Sequence, residues 1–310
     1  MVGAAGLLCP VGLGFVRGVD YRSTAMTHQR IAPPGEDVSL EDFTAVTAIE
    51  PMEERHQGHP GRFRLRVPDG WQQGRGAFGG LVLGALVRAM ERCEVEPERT
   101  MRSLTGEIAG PVLPGEALVE VTEVRRGSGV STWSAMLAQG GETLARATVV
   151  LGRSRPVEHA WAPEPPPELA RPWNEVEVAR LGPPLAPTFT RFMEYRVTGA
   201  LPLSGTEAVA AGWLRFRRPP EVLSAPEIVA LADAWWPATF AIERTPRPVA
   251  TVAFTLQHLV PQASLPPDRP LYHRARTVAA HEGFLVEFRE LWTERGELAA
   301  LNQQTIVCIR

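Results

Sequence analysis

Lysine is absent from this 310-residue sequence, so all 32 of its basic residues are arginines. The bias reads as GC-rich coding rather than as function, because 35 acidic residues leave a formal net charge of only −3. No basic block stands out, which excludes the electrostatic footprint expected of a nucleic-acid binder. Cysteine is nearly as scarce. Cys9, Cys93 and Cys308 are odd in number and share no metal-ligand spacing. A disulfide framework and a thiolate metal centre are thereby excluded, and reduced thiols in a cytoplasmic compartment are expected. Long apolar runs are missing too. The opening "MVGAAGLLCPVGLGFV" is apolar, but it is interrupted by proline, lacks a basic leader and is too short to span a bilayer. It is read as non-targeting, with Met26 as a second candidate start and residues 1–40 as a poorly ordered extension. No glycine-rich loop follows a strand and no His/Cys cluster has ligand spacing, so neither a metal nor a cofactor is expected.

Proline and periodic apolar residues are abundant. Alternation predicts half-buried strands at 43–49 and 62–67, then at 101–109, 116–125, 130–138 and 143–151. Between them "GGLVLGALVRAM", residues 79–90, predicts a helix that is apolar nearly all round and so must be covered on most sides. A proline-dense stretch, including "APEPPPELARPW", fills 153–187 and can be neither sheet nor long helix. It reads as a linker between a first domain, 41–152, and a second, 188–310. The second domain repeats the first: strands near 190–198 and 207–217, a helix at 226–236, then strands at 248–259, 270–280, 283–292 and 297–309.

The two copies differ in polarity. Asp233 lies in the second helix, Thr251 opens the strand after it and Gln304 lies in the last strand. Overlaying the copies places Asp233 against Gly84 or Ala85 and Gln304 against Val150. Strands that succeed one another without crossover helices exclude a doubly wound parallel sheet. The expected fold is α+β: a double hotdog, two helix-wrapped antiparallel sheets in one chain that form a pseudo-dimer with one working site.

Three groups of motifs, "GRGAFGGLVLGALVRAM", "PVLPGEALVEVTEVRRGSG…AQGGETLARATV" and "LADAWWP…VATVAFTLQHLVP…GELAALNQQTIVCIR", resemble the acyl-CoA thioesterase II family over roughly residues 41–310. The resemblance implies an acyl-CoA substrate and a water held and activated by an acid, a hydroxyl and an amide. By position these are Asp233, Thr251 and Gln304, with Gln303 competing for the amide role because one residue of register reverses a strand side chain's face. Gly79 and Gly80, at the start of the first helix, are expected to bring backbone amides to the substrate oxyanion. On that reading Gly80→Val lowers turnover and leaves the fold intact. His258 and His273 read as structural. Two alternatives stay open: an acyl-thioester-binding hotdog without catalysis, and an enoyl-CoA hydratase-like enzyme, which would need a histidine where the sequence has Ala238. Neither membrane nor nucleic-acid partners are expected, and double-hotdog protomers can pair further into homo-oligomers.

Overall fold

A computed structural model describes residues 42–52, 61–184, 186–245, 247–261 and 264–309. Residues 1–40, with the expected extension and the second candidate start at Met26, lie outside the described residues. The described residues open with a one-turn helix, α1 (Phe43–Val46), where alternation predicts a strand over 43–49. Local capping overrides the alternation: the Asp42 side chain accepts from the Thr44 amide at 2.9 Å and the Thr47 hydroxyl donates to the Phe43 carbonyl at 2.8 Å. Only the last residue of that window, Ile49, reaches a strand, β1 (Ile49–Pro51).

Next come β2 (Gly61–Val67), the short pair β3 (Gln72–Gln73) and β4 (Gly76–Ala77), and the helix α2 (Gly79–Cys93). The first half closes with β5 (Thr100–Ile108), β6 (Gly115–Arg126), β7 (Val130–Gln139) and β8 (Glu142–Gly152). The second contains β9 (Met193–Val197), β10 (Val209–Phe216), α3 (Ala225–Asp233), β11 (Val249–His258), β12 (Leu271–His281), β13 (Phe284–Trp292) and β14 (Leu298–Cys308). The strand expected near 190–198 begins at Met193, because residues 188–192 form a 3-10 turn. The helix expected over 226–236 ends at Asp233, with Pro237 just beyond it.

Twelve strands form one antiparallel sheet in the order β1-β2-β6-β7-β8-β5-β11-β14-β13-β12-β10-β9. From the central pair outward the order is mirrored, β8 answering β14, β7 answering β13 and β6 answering β12. The seam is β5 against β11, paired from Ser103↔Gln257 to Glu107↔Ala253. Strict alternation in β2 sends Phe63, Leu65 and Val67 inward and three arginines outward. Each such buried side chain contributes about 1.5–3 kcal/mol. The inner face wraps α2, whose Leu81, Leu83, Leu86 and Val87 are fully buried. The two helices run antiparallel at very close range. A Cβ built on Gly80 would lie 2.7 Å from the Cα of Ala230, and one on Gly84 would lie 3.1 Å from the Pro226 carbonyl oxygen. One hydrophobic core runs through both halves.

The proline-dense segment is strapped to the outer face of the second half. Trp173 lies between the guanidinium groups of Arg196 and Arg215, at 4.6 and 4.9 Å from its ring centre. Trp173 and Val176 cover Trp213, Tyr272 and Trp292 in a small second core. Among the described residues no helix is long and apolar enough to cross a membrane.

Candidate active site

Asp233 is the last residue of α3, where a short helix driven into the core by Ile228, Val229 and Leu231 ends against the first turn of α2. It is only 6% exposed. Gln304 comes from the middle of β14. Inward residues there alternate as Asn302, Gln304 and Ile306, while Gln303 faces out, so register alone settles which glutamine meets the helix. Thr251 arrives by a less regular route. Counting back from the inward Phe254 would turn Thr251 outward, but a bulge at Val252 leaves Thr251 paired with the inward Ile306.

The three side chains meet. The Thr251 hydroxyl donates to Gln304 Oε1 at 2.8 Å, and Gln304 Nε2 donates to Asp233 Oδ1 at 3.0 Å. The second Nε2 proton goes to Asn302 Oδ1, also at 3.0 Å, and Asn302 Nδ2 is itself tied to the Thr255 carbonyl at 2.6 Å. Every polar position of the Gln304 amide thus has a partner. The Thr251 proton is committed to the glutamine, so its oxygen can only accept from a further molecule.

Asp233 also receives the backbone N–H of Gly80. Its other oxygen, Oδ2, faces α2: a Cβ on Gly79 would come within 2.7 Å of it. A side chain at position 79 would crowd Asp233 and Ile108, and one at position 80 would crowd α3, while the Gly80 backbone also supplies the N–H to the acid. The expectation that Gly80→Val spares the fold is corrected here, because its Cβ would meet both the buried Phe78 ring, at 2.5 Å, and the Ala230 Cα of α3, at 2.7 Å. Burial pushes the Asp233 carboxyl above the usual aspartate range. Arg289, the Gln304 amide and the Gly80 N–H oppose that rise, and the Glu287 charge adds to it.

Sequence inspection had not singled out Asn302, Glu287 or Arg289. The readable signal was polar residues two apart on apolar strands, Asn302 with Gln304 and Glu287 with Arg289, each pair sharing a buried face. His273 is buried, stacks on Trp235 and lies 3.3 Å from the Ala232 carbonyl, while burial holds its pKa far down. His258 is pushed down to about 4 by burial and Arg102, and it bonds to the Met101 backbone. Both rings are neutral at pH 7. Among the described residues no group of acids, histidines and cysteines could hold a metal ion.

The mirrored halves make the apolar counterpart of the trio legible. Asp233 is the ninth residue of α3 and Val87 the ninth of α2, so the earlier overlay on Gly84 or Ala85 shifts to Val87. The same bulge recurs in β5, between Met101 and Ser103, and matching the two bulges pairs Thr251 with Met101 and Gln304 with Val149. The overlay on Val150 was one residue off, which is the difference between the outer and inner face. Val87, Met101 and Val149 are all apolar and buried. The helix starts differ as well. No side chain caps α2, whereas α3 carries a complete capping box of Ser224 and Glu227. The counterpart of Gly80 is Pro226, which has no N–H to give.

Residues 67–152 match the acyl-CoA thioesterase N-terminal domain, and residues 155–308 match the acyl-CoA thioesterase C-terminal domain. The chain belongs to the acyl-CoA thioesterase family. No curated protein is a significant match to its sequence. The fold is that of a conserved hot dog protein of unknown function from Alicyclobacillus acidocaldarius, at TM-score 0.74 and 22% identity over 86% of this chain and 98% of that one. It is also similar to the acyl-CoA thioesterase II TesB2 of Mycobacterium marinum, at TM-score 0.70 and 18% identity over 86% and 98%. Both likenesses support the double hotdog, and the family supports thioester hydrolysis as the general chemistry.

Proposed function

We propose that this acyl-CoA thioesterase family member hydrolyses an acyl-CoA to a free carboxylic acid and CoA, using a water activated by Asp233. The observation that carries the reading is the orientation of the Gln304 amide, which takes the Thr251 proton and gives its own to Asp233. A water bound between Asp233 and Thr251 then meets two acceptors. Both of its protons are held and its lone pair is left to face the thioester carbonyl, so part of the entropic cost is met before reaction. Water oxygen adds to the carbonyl carbon as Asp233 takes the proton. The tetrahedral intermediate collapses with cleavage of the C–S bond, and the proton passes to the departing CoA sulfur. We assign the oxyanion to the Gly79 amide and the positive end of α2, with the Gly80 N–H orienting the acid.

The test is thiol release over a panel of acyl-CoAs by wild-type protein and Asp233→Asn. A correctly placed general base typically contributes ~10²–10⁴-fold, so the substitution should reduce kcat by that much. Acyl-CoA bound without thiol release by the wild type would favour a non-catalytic acyl-thioester binder. Water addition to crotonyl-CoA would favour the hydratase-like alternative.

A further inference from the structure

We propose that Arg289, oriented by Glu287, is a positioning residue that fixes the carboxylate of Asp233 in place and in its ionised form. The inference rests on the reading of Asp233 as the base, and it adds two groups from a strand outside the trio.

Arg289 and Glu287 stand two residues apart on β13, both facing inward, with 2% and 0% of their surface exposed. Two buried opposite charges need partners for every polar atom to be tolerated. Arg289 Nη1 donates to the carbonyls of Ala232 and Asp233 at 3.0 and 3.2 Å, so the guanidinium caps the negative end of α3 at the residue that bears the acid. The same nitrogen lies 3.9 Å from Asp233 Oδ1. Arg289 Nε donates to Glu287 Oε1 at 2.8 Å. Glu287 Oε2 in turn accepts from the Ala238 amide at 2.7 Å and from the Thr277 hydroxyl at 2.9 Å. The guanidinium is thus anchored on one side to the segment after α3 and to β12, and on the other to the helix end. A helix that stops at Asp233 leaves its last carbonyls without intrahelical donors, and Arg289 serves two of them, sharing Ala232 with His273.

Other groups around Asp233 do not supply this. From α2 it meets backbone, at Gly79 and Gly80; from β11 and β14 it meets Thr251 and Gln304, which carry no charge. Tyr195 of β9 is buried and its phenol is pushed well up, by burial first and then by Asp233 itself, while Arg217 acts on that phenol. His273 of β12 reaches the Ala232 carbonyl as a neutral ring. Arg289 is the cation placed to hold Asp233 ionised, and Glu287 is the anion that works against it.

The two charges predict shifts of opposite sign, which a merely structural role would not produce. The chain has six aspartates, so with ¹³C-labelled aspartate the Asp233 carboxyl resonance can be assigned by its loss in Asp233→Asn and titrated without any turnover. Removing an opposite charge at this distance raises a carboxylate by ~1–3 units, and Glu287 is present before and after the change, so a rise of that order is expected in Arg289→Gln. Arg289→Lys should return the midpoint close to the wild-type value. In Glu287→Gln the bonds from Arg289 to the two carbonyls keep the guanidinium in place, and the midpoint should fall. The acid limb of kcat/KM for acyl-CoA hydrolysis should move in parallel. A folded Arg289→Gln with an unmoved Asp233 midpoint overturns the proposal. If that variant does not fold, an unchanged or raised midpoint in Glu287→Gln overturns it instead. Absence of thioester hydrolysis by the wild type, with the resonance shifts as expected, counts against the function alone and leaves the electrostatic coupling standing.

Discussion

A single carboxylate shows what the site asks of its residues. Asp233 is held at a helix end inside the core, where burial favours its protonated form. A group whose folded-state pKa lies above the unfolded value adds stability only at low pH, and that contribution is lost as pH rises through the folded pKa. At pH 7, well above the unfolded value, the carboxyl therefore works against folding relative to a side chain that stays neutral. Asp233→Asn should raise Tm at pH 7 while abolishing most thioester hydrolysis, which calorimetry beside a thiol-release assay would check. The same shift predicts that kcat/KM falls on acidification with a midpoint above the ordinary aspartate value of about 3.9, which a pH–rate profile would show. Glu91, near the far end of α2, is a second case. Burial and the Glu227 charge push it up to about 7 against the opposing Arg88. Glu91→Gln should be more stable than wild type at pH 8, by on the order of 1–3 kcal/mol, with the difference gone near pH 4. Equal Tm values at both pH values would contradict this.

At the scale of elements, the helix pair and the strand registers decide what the residues can do. Gly79 and Gly80 are neighbours with different duties, and their variants should part company. In Gly80→Ala the new methyl meets the α3 backbone, so stability should fall by about 1–3 kcal/mol, read by denaturant unfolding. In Gly79→Ala the new methyl meets the ends of two side chains, Asp233 and Ile108, so the protein should stay folded and lose turnover. The elements were also where sequence and structure could be compared most directly. Alternation placed eleven strands to within a few residues, because a sheet with one buried face imprints a period of two on its sequence. It misread residues 43–49, where an Asp42 cap outweighs the pattern. Parity was silent on Thr251, since nothing in "VATVAFTL" announces the bulge that turns it inward. Arg289 and Glu287 were visible as inward polar residues on β13, but only the fold shows that they face the end of α3.

For the whole molecule, the seam between β5 and β11 and the core that crosses it make the halves interdependent. A fragment of residues 188–310 would expose the edge of β11 and the face of α3 that packs on α2. It should show no cooperative thermal transition and should aggregate, whereas residues 42–310 melt as one unit. A soluble fragment with a sharp transition would show that each half folds alone. The duplication also has a direction. Acid, hydroxyl and amide placed at positions 87, 101 and 149 would mirror the trio in the first half, yet Pro226 stands where an amide hydrogen would have to meet the new acid. A carboxylate placed at position 87 would therefore lack the amide that Gly80 gives Asp233 unless Pro226 were replaced along with it.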